Sequence, residues 1–170
     1  QQHVSRLLMD SKGNKLLSHL LRNGFSNEII LNTVLNFLEK EGFNLIPVTN
    51  LVPELVVGFG NMTDSFIRKN QLDDIEQGKK MLQEIASFNI GLSLIIQEGL
   101  VLGIDTRENT DQLIKNSQKI IKNSNISPIL IKLSQYNKNQ RVDFPCIGLE
   151  MIQKLHQLGF AGIAVEANKS

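Results

Sequence analysis

Apolar residues recur at helical steps in some stretches of the chain and run together in short blocks in others. Leu16, Leu17, Leu20 and Leu21 fall on one helix face, and Asn23-Gly24 ends the pattern. Ser26 stands where a second helix would be capped. Ile29, Ile30, Val34, Leu35 and Leu38 then repeat at three- and four-residue steps until Gly42. Phe43 to Val48 predicts a short strand, with Pro47 placing it at an edge or ending it. Leu51 to Asn70 holds Pro53, Gly58 and Gly60 and predicts a short helix followed by a loop. It is the natural place for a boundary between two units.

Beyond it, Asp73-Asp74 predicts a helix start, with Ile75, Met81, Leu82, Ile85 and Ala86 on one side. Acids in the first turn and Lys79-Lys80 further along suit the helix dipole. Ile90 to Gln97 and Leu100 to Asp105 are apolar blocks separated by Glu98-Gly99, which is hairpin spacing. Thr110 or Asp111 opens a helix through Leu113, Ile114, Ile120 and Ile121. Ile129 to Leu133 predicts a third strand and Ser134 to Gln140 a polar loop. Gly148 to Leu158 predicts a helix with Ile152, Leu155 and Leu158 inward, and Phe160 to Ala167 a fourth strand. From about residue 71 the order is helix, strand, strand, helix, strand, helix, strand. That order defines an α/β domain with helices packed on a mixed sheet. No internal repeat interrupts it.

Composition narrows the function classes. A net charge of +1 over 170 residues leaves no basic stripe for nucleic acid. One tyrosine and no tryptophan leave no aromatic platform for single strands. Cys146 is the only cysteine, which excludes an intrachain disulfide and points to a reducing, cytoplasmic compartment. No apolar run approaches the roughly 18 residues of a spanning helix. Contact with a membrane face is left open. Phe25, Phe37, Phe43 and Phe59 read as core, with an acyl-chain groove as the other use for some of them.

Chemistry concentrates in two segments. In the first, the block ending at Asp105 is followed by Glu108, Thr110 and Asp111. Acids at these steps beside a helix start supply the hard oxygens that magnesium prefers, together with waters and substrate phosphate. Such an ion stabilises charge developing on a pyrophosphate and orients water. The structural alternative is that Thr110 and Asp111 cap the helix and Glu108 is solvated. In the second segment, Arg141, Asp143 and Pro145 precede a helix beginning near Gly148. Arginine binds phosphate bidentately, a helix N-terminus adds amides, and Asp143 can hold a metal or activate water. The alternative is a surface Arg141–Asp143 pair before a proline turn. His3, His19 and His156 lack metal spacing, and Gly58-Phe59-Gly60 lacks the flanks of a dinucleotide loop.

These stretches resemble, in order, those of the LpxI-type UDP-2,3-diacylglucosamine pyrophosphatases of lipid A biosynthesis. Leu35 to Leu55 is similar to the end of the family's N-terminal domain, with its Leu-x-Pro-x-Leu turn at Leu51–Leu55. Asp74-Ile75-Glu76-Gln77-Gly78 resembles its Asp-Ile-x-x-Gly helix, and Gly99 to Asp111 its strand followed by Glu-Gly-Thr-Asp. Arg141 to Gly148 resembles Arg-x-Asp-x-Pro-x-Ile-Gly, and Gly162 to Ala167 resembles the closing Gly-Ile-Ala-x-Glu-Ala strand.

The resemblance implies a magnesium-dependent hydrolase that cleaves UDP-2,3-diacylglucosamine to lipid X and UMP. It implies Glu108, Asp111 and Asp143 as metal ligands, and Asp143, Arg141 and Asp111 as catalytic residues. Thr110 and Arg141 would contact substrate. It also implies a remnant of a Rossmann-like domain over 1–60 and a truncated C-terminal α/β domain over 61–170. The start of the first domain and a tail after the last strand would lie outside this chain. The expected partner is a nucleotide-linked lipid met in the cytoplasm, with peripheral contact at the inner membrane face. Asp105 stands where the family has Glu, Asn109 where it has Gly, and Lys138-Asn139 where it tends to have Gln-Asp. Asn89-Ile90-Gly91-Leu92 stands for Asp-Val-Gly-Gln. The alternative reading is a non-catalytic remnant or a ligand-binding α/β domain of the same family.

Overall fold

Ser93–Gln97 (β1) is buried along its whole length, because layers pack on both of its faces. In the computed structural model, which describes residues 10–25, 27–88, 91–106, 110–134 and 145–170, this strand is central to a four-stranded sheet. Leu100–Ile104 (β2) pairs antiparallel on one side and Ile129–Lys132 (β3) antiparallel on the other. Gly162–Val165 (β4) adds parallel to β3, giving the order β2-β1-β3-β4. The sheet is therefore mixed, and β2, β3 and β4 all run in one direction against β1.

Alternation along β1 divides the core. Leu94 and Ile96 face Leu82 of the long helix, together with Ile129 and Ile131. Ile95 and Leu130 face the opposite way, against Leu113, Ile114, Leu155 and Phe160. Each fully buried Leu or Ile contributes roughly 1.5–3 kcal/mol. The helices of the two layers are Lys69–Ile85 (α4) on one face and Thr110–Ser117 (α5) with Leu149–Gln157 (α6) on the other. The inner side of α6 is Met151, Leu155 and Leu158. Ile152, expected inward, is exposed, since the sheet selects the neighbouring row of the helix.

The long helix also begins four residues earlier than its acids suggest, at Lys69, where the Gln71 side chain accepts from the Arg68 amide at 2.9 Å. Asp74 thus lies inside the helix and is buried. It reaches the β1–β2 turn: its carboxylate accepts from Gly99 N at 2.6 Å and from Glu98 N at 3.0 Å. Gln77 donates from Nε2 to the Gly99 carbonyl at 3.0 Å. One turn on, a Cβ at Gly78 would stand 2.3 Å from Ile131 Cδ1, so a larger residue there would force that buried side chain to shift. The Asp-Ile-Glu-Gln-Gly stretch is therefore a helix-to-hairpin clasp.

By its contacts the chain divides into two units, residues Gln1–Leu51 and Val52–Ser170. In the first, Ser11–Asn23 (α1) is capped by Asp10, whose side chain accepts from Gly13 N at 2.7 Å. It packs against Asn27–Lys40 (α2), with Leu20 and Leu35 buried and Lys12 paired with Glu41. The Ser26 cap lies outside the described residues. Phe43 to Pro47 is not a strand; no neighbouring strand supplies a ladder among the described residues of this unit. A short helix, Val48–Leu51 (α3), follows. In the second unit, Val57 pairs with the end of the chain, donating to Ser170 O at 2.9 Å and accepting from Asn168 N at 2.8 Å. Phe25, Phe43 and Phe59, expected in the core, are exposed. The latter two lie in irregular segments, where no repeating face exists to bury them.

Candidate functional site

Because β2, β3 and β4 are parallel to one another, their carboxyl ends lie along one edge of the sheet. Open α/β sheets bind ligands outside such an edge. The β2 end delivers Asp105 and leads to α5. The β3 end delivers Leu133 and Ser134 and leads to α6. The β4 end delivers Glu166. Asp105 and Ser134, the described residues ahead of Glu108 and of Arg141 and Asp143, thus lie at the same edge. The β1–β2 turn held by Asp74 is at the opposite one.

Asp105 continues the ladder one residue past β2, donating from its amide to Ser93 O at 2.7 Å. Its backbone passes over Gly91, where a Cβ would stand 2.2 Å from Asp105 O. Gly91 is therefore a space requirement of the strand end. The Thr110 hydroxyl, buried at the first residue of α5, donates to Asp105 Oδ2 at 3.3 Å. That contact joins the strand end to the helix start across residues 106–109. Asp111 is exposed, and Lys154 of α6 donates to its Oδ1 at 2.7 Å. An exposed pair of this kind contributes about 0–1 kcal/mol, so Asp111 remains available to a stronger cation.

Of the residues singled out in the sequence, Thr110 and Asp111 open α5 side by side, as the periodicity predicts. Glu108, Arg141 and Asp143 lie outside the described residues, as do Asn89, Asn109, Lys138 and Asn139. Among the described residues, no three of His, Cys, Asp and Glu group closely enough to hold a metal ion. The oxygen donors of Asp105, Thr110 and Asp111 belong to the hard class that suits magnesium rather than a softer metal. Two members of this edge escaped the sequence reading. Lys154 is half-buried on α6, and its partner is 43 residues away. Glu166 follows β4 and is bonded both by nearby Lys169 and by the Ser134 amide 32 residues earlier. No local signal marks the long-range partner of either.

A mixed sheet covered on both faces, with polar groups at the carboxyl ends of its parallel strands, defines a layered α/β domain. Residues 59–170 match the family model described as the LpxI C-terminal domain, and the chain belongs to that family. The chain is also similar to the UDP-2,3-diacylglucosamine pyrophosphatase LpxI of Caulobacter vibrioides, 28% identical over 173 aligned positions. That alignment takes in 97% of this chain and 61% of the relative, so the chain spans about three fifths of the relative's length. Among the described residues no helix is long and apolar enough to cross a membrane.

Proposed function

We propose that this chain contributes the catalytic-type domain of a magnesium-dependent pyrophosphatase acting on UDP-2,3-diacylglucosamine in lipid A biosynthesis. The observation that supports the reading is that Asp105 and Ser134, the described residues from which the chain continues toward the two groups of acids, lie at one sheet edge. One begins at Asp105 and holds Glu108, Thr110 and Asp111. The other begins at Ser134 and holds Arg141 and Asp143 before α6. The similarity to the Caulobacter enzyme supplies the substrate class.

In this reading Glu108, Asp111 and Asp143 hold magnesium, which neutralises charge on the pyrophosphate when bound. These three carboxylates, with waters and phosphate oxygens, would complete the oxygen shell of such an ion. Arg141 binds a phosphoryl group bidentately. Asp143 accepts a proton from the attacking water. Thr110 would exchange its hydroxyl hydrogen bond to Asp105 for one donated to a phosphate oxygen. Lys154, which pairs with Asp111 here, would have to give up that carboxylate for it to hold the ion. The products are lipid X and UMP, and the lipid part of the substrate is met at the cytoplasmic face of the inner membrane. The test is UMP release from UDP-2,3-diacylglucosamine, first with magnesium and then with chelator. Release that needs magnesium and disappears in a folded Asp143→Ala variant supports the reading. Equal release with chelator, or from the variant, sinks it.

A further inference from the structure

Lys132, the last residue of β3, stands at the carboxyl edge with its side chain on the α5/α6 face of the sheet. Alternation fixes that face, since Leu130 two residues earlier belongs to the cluster of Leu113, Leu155 and Phe160. Ser93, at the start of β1, is its partner across the ladder, and Ile95 in the same cluster gives Ser93 the same face. Leu133 N donates to Leu92 O at 2.8 Å, so Ser93 and Lys132 form the non-hydrogen-bonded pair beside that bond, in which side chains come closest. On the other side of Ser93 stands Asp105, whose amide donates to Ser93 O at 2.7 Å. Gly103, where a Cβ would meet Leu113, and the bond from Thr110 set Asp105 on this face too. One row across the sheet thus reads Asp105, Ser93, Lys132 and, opposite Lys132 on β4, Val165.

Charge at this edge is unevenly matched. Lys154 pairs with Asp111 and Lys169 with Glu166. Lys132, half-buried, has no hydrogen-bond or ion-pair partner among the described residues. Ser93 is 3% exposed, and among the described residues its hydroxyl has no partner either. A buried donor without an acceptor costs stability, and a bound anion removes that cost. We infer that Lys132 and Ser93 form a phosphoryl-binding subsite at the carboxyl ends of the strands, the ammonium supplying a point charge and the hydroxyl a directed donor. That the phosphoryl group belongs to a pyrophosphate substrate rests on the reading of the preceding subsection. The subsite itself stands on the row of side chains.

The experiment measures binding of inorganic pyrophosphate by isothermal titration calorimetry, in chelator so that no metal ion bridges it. It compares the full chain with Lys132→Met, Lys132→Arg, Ser93→Ala and Lys80→Met. Methionine keeps most of the stem and removes the charge. Lys80, exposed on α4 across the sheet, is the control. The expected result is a loss of affinity of about tenfold or more in Lys132→Met and about threefold in Ser93→Ala, as removal of a charged and of a neutral donor from an anion predicts. Lys132→Arg, which keeps the charge, and Lys80→Met should bind close to wild type. Amide shifts during the titration should move at Ser93 and Lys132 and not at Glu98 and Gly99. A wild-type chain that binds no pyrophosphate, or Lys132→Met binding it as well as Lys80→Met does, leaves Lys132 a solvated ammonium only and overturns the inference. If Lys132→Met does not fold, Ser93→Ala decides, and unchanged affinity there overturns it. UMP release separates the two readings. Pyrophosphate binding that depends on Lys132 in a chain releasing no UMP upholds the subsite and ends the functional reading. UMP release with KM and pyrophosphate affinity unchanged in Lys132→Met does the reverse.

Discussion

Replacing Asp74 by Ala should destabilise the second unit by about 2–4 kcal/mol. The carboxylate is buried inside α4 and accepts two backbone hydrogen bonds from the β1–β2 turn. Hydrogen bonds to a charged group contribute roughly 1.5–3 kcal/mol each. Glu98 and Gly99 are exposed, so water replaces part of what their amides lose, and the sum falls toward the low end. The loss is a large fraction of the roughly 5–15 kcal/mol by which a domain is stable. It corresponds to a fall in Tm on the order of 10 °C for a chain of this size. Urea unfolding followed by far-UV circular dichroism measures it directly. Asp74→Asn keeps one acceptor but turns an NH2 toward the other turn amide, and should lose more than half as much. Asp73→Ala, at the exposed neighbour, serves as control and should stay within about 0.5 kcal/mol of wild type. An Asp74→Ala midpoint matching that control would refute the clasp.

Glu98 sits in the left-handed region at a φ of 52°, so Glu98→Asn, which tolerates that conformation in a hairpin turn, should stabilise by about 0.5–1 kcal/mol in the same unfolding assay. Gly91→Ala should cost about 1–3 kcal/mol, because the new Cβ meets the Asp105 backbone; a crystal structure of the variant should show the Asp105–Thr110 hydrogen bond lengthened or broken. Lys154→Ala should move Tm by no more than about 4 °C, since the Asp111 pair is exposed. In the same variant, the magnesium concentration for half-maximal binding should fall by up to about fivefold, read by isothermal titration calorimetry, because the ion no longer competes with an ammonium group.

Much of the second unit was legible because its signals are local. The Glu98-Gly99 break between two apolar blocks marks the hairpin, and apolar spacing after Thr110 and Gly148 marks α5 and α6. The order of elements from residue 71 follows the reading without change. What escaped depends on partners far along the chain. Asp74 looked like a first-turn acid until the hairpin 24 and 25 residues later was folded against it. Ile152 and Met151 are both apolar, and only the sheet decides which of them is covered. Phe43 to Pro47 has strand composition but no partner strand among the described residues of its unit. At the candidate site, Thr110 and Asp111 were readable as a helix opening. Their links to Asp105 and Lys154 were not, because hydrogen bonding across elements leaves no periodic trace.

The central claim is that the two acid-bearing segments meet at the carboxyl edge of the sheet around one cation. Manganese titration followed by NMR tests it most directly, since the bound ion broadens nearby amides. The account predicts early broadening at Asp105, Thr110, Asp111 and Ser134, and its loss in Asp143→Asn. Broadening that survives Asp143→Asn, or that centres on Glu98 and Gly99 at the opposite edge, would contradict it.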